Sequence, residues 1–172
     1  MITRTIMIFP EFHNMEVINF YRNKYDPLSD LVKPHITLVF PFQSGISNDE
    51  LNSHLDSQLI NIKPFEITLH GVSRHPGESG NYLFLNVVKG TESIRLIHDK
   101  LYSGALKEFF NGDPYCPHLT LGNTASIKEL ENAYLDASAC SETFKATVNI
   151  ISTEMIGRSG ESIIISEYKL PD

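Results

Sequence analysis

Lys33-Pro34-His35-Ile36-Thr37-Leu38 and Cys116-Pro117-His118-Leu119-Thr120-Leu121 carry one pattern, P-H-x-T-L, once in each half of a 172-residue chain. Both begin short runs of β-forming residues. On a strand, residues i and i+2 point to the same face. His35 with Thr37, and His118 with Thr120, therefore each present an imidazole and a hydroxyl to one surface, while Ile36 and Leu119 point into the packing behind. A leading proline suits a strand's first position, where a missing N–H is tolerated. Each copy is soon followed by a capping box and an amphipathic helix. Ser47-Asn48-Asp49-Glu50 precedes Leu51, Leu55 and Leu59, and Ser126-Ile127-Lys128-Glu129 precedes Leu130, Tyr134 and Ala137. Two copies at so long a spacing exclude a solenoid and imply a duplicated half-molecule, hence a pseudo-two-fold pair of lobes.

Outward from the two motifs, strand-like and helix-like segments alternate with short punctuation. A first strand is expected from Thr3 to Phe9, and a helix over 11–24 with Phe12, Met15 and Ile18 spaced by three. The strand that begins at His35 is expected to stop at Pro41. Phe65 to Ser73 and Tyr82 to Val88 predict two antiparallel strands around the turn His75-Pro76-Gly77-Glu78-Ser79-Gly80-Asn81. Thr91 is the expected cap of a helix carrying Ile94, Ile97, Leu101, Ala105 and Phe109, which Gly104 weakens. Two final strands, Thr143 to Ile151 and Glu161 to Leu170, flank a turn containing Arg158-Ser159-Gly160. Strands and helices without regular βαβ alternation predict an α+β fold, with antiparallel sheets and helices packed outside. The length suits residues 1–172 as a single bilobal unit better than two independent domains.

Composition narrows the function. Fourteen basic against 21 acidic residues give a net charge of −7. A protein that tracks long nucleic acid needs a basic stripe to neutralise phosphates. None is visible, so a nucleotide-like substrate should be small or held by one end. No apolar run suggests a membrane span, and the amino terminus reads as a strand rather than a secretory signal. Two cysteines, Cys116 and Cys140, offer neither a disulfide framework nor a zinc site, which predicts a cytoplasmic protein.

Cleavage of a phosphodiester without a metal needs a base for the attacking oxygen, an acid for the leaving oxygen and donors for the non-bridging oxygens. Two histidines can be base and acid near neutral pH, and two threonine hydroxyls can be the donors. The doubled H-x-T delivers this set from one symmetric cleft. With seven histidines and ten threonines, chance yields about 0.4 H-x-T triplets in this length, so one copy alone would mean little. Two copies with matching proline and leucine carry the reading. The scheme calls for no cofactor and no metal, and a metal hydrolase is disfavoured by the lack of H-x-D, H-E-x-x-H or a carboxylate cluster.

On these residues, and on His35 to Phe42 (HITLVFPF), the chain resembles the two-histidine (2H) phosphoesterases, which include the 2′-5′ RNA ligases and RNA cyclic phosphodiesterases. The resemblance extends along essentially the whole chain in order of elements. It implies a bilobal α+β fold whose two antiparallel sheets line a central cleft. It also implies metal-independent opening of cyclic phosphates, or cleavage and joining of 2′-5′ linkages, with His35, Thr37, His118 and Thr120 catalytic. Many RNA-processing members are similar to H-x-T-L-x-R at the second motif. Here Leu121-Gly122-Asn123 takes that place, which removes an arginine clamp and argues against a polymeric RNA substrate.

Further candidates surround the motifs. Phe42, Tyr82, Phe84 and Tyr115 are candidates for stacking a nucleobase, against the ordinary role of strand aromatics in core and rim packing. Arg158, and Arg74 with His75, are candidates for a second phosphate or a ribose, against simple solvation. His54 and His98 are expected on exposed helix faces, and Cys116 as a buried thiol rather than a nucleophile. Asp113 is expected to initiate a turn. The resulting expectation is a monomeric phosphodiesterase acting on a small nucleotide or RNA terminus. Its competitor is a non-catalytic nucleotide or phosphate sensor that keeps the cleft.

Overall fold

A computed structural model describes residues 2–172 as two four-stranded antiparallel sheets with helices on their outer faces, a bilobal α+β fold. The first sheet has the order β2-β1-β7-β8, built from β1 (Ile2–Ile8), β2 (Ile36–Ser44), β7 (Ile150–Ile156) and β8 (Ser162–Lys169). The second has the order β5-β4-β3-β6, built from β3 (Phe65–Gly77), β4 (Gly80–Lys89), β5 (His118–Thr124) and β6 (Phe144–Val148). Both H-x-T segments thus begin edge strands, β2 and β5. The inner strands supply Ile6, Ile8, Ile67, Leu69, Leu83 and Leu85 to a continuous apolar core.

Four helices close the outer faces: α1 (Met15–Tyr25), α2 (Asn48–Leu59), α3 (Thr91–Leu101) and α4 (Ile127–Ser138). The two halves of the chain exchange a helix. α1 follows β1 yet packs on β5 in the second sheet, and α3 follows β4 yet packs on β2 in the first. α2 and α4 stay with the sheet of their own half, on β8 and on β3 to β5 respectively. The repeating unit is therefore longer than the motif, and runs strand, exchanged helix, H-x-T strand, capped helix. Gly122 permits one of these packings, because a Cβ there would stand 2.7 Å from the Cβ of Tyr25 at the end of α1.

Several expected boundaries move, each for a local reason. The first helix starts at Met15, not at 11, and Phe12 instead lies buried edge-on against Phe144. β2 continues through Pro41 to Ser44, since an edge strand tolerates a residue that cannot donate to the ladder. β3 runs to Gly77, leaving only Glu78-Ser79 as its turn. Ser47 and Glu50 form the full capping box, whereas Ser126 accepts from Glu129 N but Glu129 turns its carboxylate to Ala125 N. Thr91 is not a cap. Gly90 holds that place at φ 89°, where a Cβ would come within 2.7 Å of Glu66 O, and Thr91 Oγ1 donates back to Val87 O. The helix beyond it ends at Leu101, and Gly104–Phe109 forms a separate 3₁₀ segment. The expected strand from Thr143 to Ile151 is two strands in different sheets, β6 and β7, divided at Asn149.

Candidate active site

β2 and β5 approach each other across the gap between the sheets, and Tyr115 spans it by donating its hydroxyl to Thr37 O at 2.6 Å. Residues directly opposite on paired strands share a face. On the first sheet Thr37 is opposite Met7, and Met7 is opposite Ser152, so these line the cleft face while Ile36, Leu38, Ile6 and Ile8 lie in the core. On the second sheet Asn86 is opposite His118, Phe84 opposite both Thr120 and Ser73, and Tyr82 opposite His75. Leu119 and Leu121 turn into the core, as expected.

The two histidines are fixed by one device. His35 Nδ1 lies 2.8 Å from Lys33 O, and His118 Nδ1 lies 2.7 Å from Cys116 O. A carbonyl only accepts, so each Nδ1 carries the proton and each neutral ring leaves Nε2 bare. Neither Thr37 Oγ1 nor Thr120 Oγ1 has a hydrogen-bond partner among the described residues, so both hydroxyls are free to donate to a ligand. The rings are backed differently. His118 lies flat on Phe84, with centroids 3.5 Å apart and planes at 15°, whereas His35 meets Phe9 at 6.1 Å and 55°. Burial lowers the His118 pKa to about 4, aided by repulsion from His75 and His35 and opposed by the Cys116 carbonyl. Burial also lowers that of His35. The Lys33 carbonyl opposes this, and the neighbouring Arg22 and Asp26 act in opposite senses. Arg22 and Asp26 form a buried pair at 2.9 Å. Asp26 Oδ1 accepts from Leu28 N and Arg22 donates to Leu28 O, which braces the loop leading to His35.

The remaining candidates separate. Phe42 is buried against Phe109 on the core side, where no ligand reaches it. Phe84 lines the cleft, but His118 covers one side of its ring and His75 stacks on it at 4.4 Å, so it backs the histidines instead of receiving a base. Tyr115 stacks on His98 at 3.8 Å and uses its hydroxyl to join the lobes. Tyr82 stays partly exposed, its ring tilted against Phe84 at 5.7 Å. Arg158 lies in the turn between β7 and β8, which meets the loop leading to His35 where Ser162 N donates to Leu31 O. Arg74 and His75 point to opposite faces. Arg74 pairs with Glu131 and covers Tyr134 on α4, while His75 enters the cleft. Asn123 accepts from Asn81 N and so closes the strand pair. Asp113 bonds Asn111 within its turn.

Three expectations about burial reverse. His54 and His98 are buried, His54 through a bond between Nε2 and Leu101 O at 2.9 Å and His98 beneath Tyr115. Cys116 is exposed, because its carbonyl rather than its thiol is turned toward the His118 ring. Ser73, Asn86 and Phe9 were not among the candidates. Ser73 and Asn86 could have been found by counting strand parity outward from His118 across β4 and β3.

The model of the 2′-5′ RNA ligase superfamily matches residues 9–154. The chain belongs to this family of two-histidine phosphoesterases. A presumptive phosphoesterase of Bacillus licheniformis is 30% identical over 130 residues, 72% of each chain. One of Geobacillus kaustophilus is 28% identical over 153 residues, 84% of this chain and 82% of its own. Among solved structures, Escherichia coli LigT complexed with 3′-AMP superposes with a TM-score of 0.65 at 17% identity over 99% of both chains, a likeness of fold. Within the 2′-5′ RNA ligase superfamily, then, this chain has a bilobal fold whose doubled H-x-T strands face one cleft. No helix among the described residues is long and apolar enough to cross a membrane.

Proposed function

We propose that the protein is a metal-independent phosphodiesterase. It opens nucleoside cyclic phosphates or cleaves and joins 2′-5′ linkages in small nucleotides and RNA ends. The observation that carries this reading is the mirrored anchoring of His35 and His118, each with Nδ1–H on the carbonyl two residues before it and Nε2 free. His118, whose ring is desolvated flat against Phe84, is the base that takes the proton of the attacking water. His35 is the acid. It lies within the reach of charge from His118, and an anionic phosphate between the two rings favours its protonated form. The hydroxyls of Thr37 and Thr120 hold the non-bridging oxygens as charge builds on them. For a 2′,3′-cyclic phosphate, water adds to phosphorus, one P–O bond to the ribose breaks, His35 protonates the leaving oxygen, and a nucleoside monophosphate results. LigT binds 3′-AMP in the neighbouring structure, which supports a small nucleotide here. No group of three or more His, Cys, Asp or Glu side chains able to hold a metal ion occurs among the described residues.

The test is incubation with nucleoside 2′,3′-cyclic phosphates and 2′-5′-linked dinucleotides, with and without chelator, followed by product analysis. Turnover that persists in chelator and is lost in His35→Ala and His118→Ala supports the reading. Nucleotide binding with no turnover of any of these substrates would leave the protein a sensor.

A further inference from the structure

Beside His118 the cleft holds a second, connected polar set that the H-x-T scheme does not use. Ser73 Oγ donates to Asn86 Oδ1 at 2.7 Å and lies 2.9 Å from His75 Nε2. Asn86 is opposite His118 across the β4–β5 ladder, so its side chain stands on the cleft face next to the imidazole. His75 is held in turn by its stack on Phe84, the ring on which His118 lies.

The proton count in this set is constrained. A serine hydroxyl has one proton, and it goes to Asn86 Oδ1. His75 Nε2 must then donate to Ser73 Oγ. With Oδ1 so engaged, Asn86 Nδ2 keeps both its protons, and it donates to no group among the described residues. The reverse amide orientation would put an acceptor into the cleft and turn the Ser73 hydroxyl proton away from Asn86.

We infer that Asn86 is a substrate-binding donor for a non-bridging phosphoryl oxygen, and that Ser73 and His75 are positioning residues that hold its amide with Nδ2 toward the cleft. The inference rests on the phosphodiesterase reading of the same cleft and adds a third donor to Thr37 and Thr120. It also accounts for a cleft that can take an anion although the paired face of β4 and β5 brings no arginine or lysine opposite His118 or Thr120. Asn86 is a neutral donor, which avoids the cost of desolvating a further charge.

The experiment pairs kinetics with a direct signal from the amide. With a nucleoside 2′,3′-cyclic phosphate, Asn86→Ala should lose roughly tenfold to a thousandfold in kcat/KM, as for loss of one oxyanion donor. Asn86→Asp should lose more, because a carboxylate repels the phosphate. Ser73→Ala should lose less than Asn86→Ala, Ser73→Thr should restore it, and adding His75→Ala to Ser73→Ala should change little further, since both act through one amide. In parallel, adenosine 3′-monophosphate should shift the Asn86 Nδ2H₂ resonances of the wild type, and shift them less in Ser73→Ala. Wild-type kcat/KM in Asn86→Ala, in a protein that His118→Ala inactivates, overturns the inference and leaves the phosphodiesterase reading standing. If the wild type turns over no diester, that reading fails, and the amide shift alone decides this one: present, Asn86 is a phosphate-binding donor; absent, it is not.

Discussion

His35 and His118 share their sequence context, their strand position at a sheet edge and their anchoring to the carbonyl two residues back, yet they are packed unlike each other. His118 is pressed flat on Phe84 with His75 on the far side. His35 meets the tilted ring of Phe9, its one aromatic neighbour among the described residues, and sits near the buried Arg22–Asp26 pair. The backbone thus sets the tautomer equally in both halves, while the side chains around each ring set its basicity separately. An acid and a base can arise from two copies of one motif in this way, without changing the motif.

The comparison breaks first at the rings themselves. His35→Ala and His118→Ala should each reduce turnover on the order of a hundredfold to ten-thousandfold. The double variant should be little worse, because the pair acts as a unit. If either single variant kept near-wild-type turnover of a cyclic phosphate, the acid–base assignment would be lost. Thr37→Ala and Thr120→Ala come next, with expected losses of roughly tenfold to a thousandfold in kcat, read from steady-state kinetics.

A smaller effect sharpens the comparison. Phe84→Leu removes the flat ring that desolvates His118, so the His118 pKa should rise from about 4 toward 6.5. A base protonated at higher pH loses activity earlier on acidification, so the acidic limb of the kcat/KM profile should move up. Phe9→Leu should leave that limb in place, and equal shifts in the two variants would contradict the difference in packing.

The smallest effect is on stability. His118 has its folded-state pKa lowered from 6.5 to about 4, so between these values the unfolded chain binds a proton that the folded chain refuses. Stability should therefore fall as pH drops from about 6.5 to about 4, and His118→Ala should flatten that part of the curve in thermal denaturation.

The site was legible where its signal was local. The alternation of a strand and the repetition of the motif bring His35, Thr37, His118 and Thr120 to one cleft with no long-range information. Phe42 shows where the same rule stopped short. β2 passes Pro41, as its place at a sheet edge permits, and shifts register twice against β1, so Val39 is buried opposite Ile6, Phe40 is exposed and Phe42 is buried opposite Arg4, which strict alternation from Thr37 does not give. His54 and His98 were misplaced although they lie on the apolar stripes of Leu51 and Leu55 and of Ile94, Ile97 and Leu101. The Leu101 carbonyl and Tyr115 ring that accept them come from distant segments. The division of 143–151 between two sheets, and the placing of Phe84 between two imidazoles, likewise depend on tertiary neighbours that no local pattern encodes.

The exchange of α1 and α3 has a consequence for how the molecule can be taken apart. Each sheet's H-x-T edge is covered by a helix belonging to the other half of the chain. A break in the Glu78-Ser79 turn would divide both sheets, parting β1 and β2 from β7 and β8 and β3 from β4 and β6, and would leave each fragment with a helix whose sheet edge lies in the other. Mixed, they should assemble one to one, since each supplies both the strands and the lid the other lacks, and only the assembled pair would bring the two imidazoles together. Activity regained from two separately inert pieces would then report the meeting of whatever proteins were attached to them.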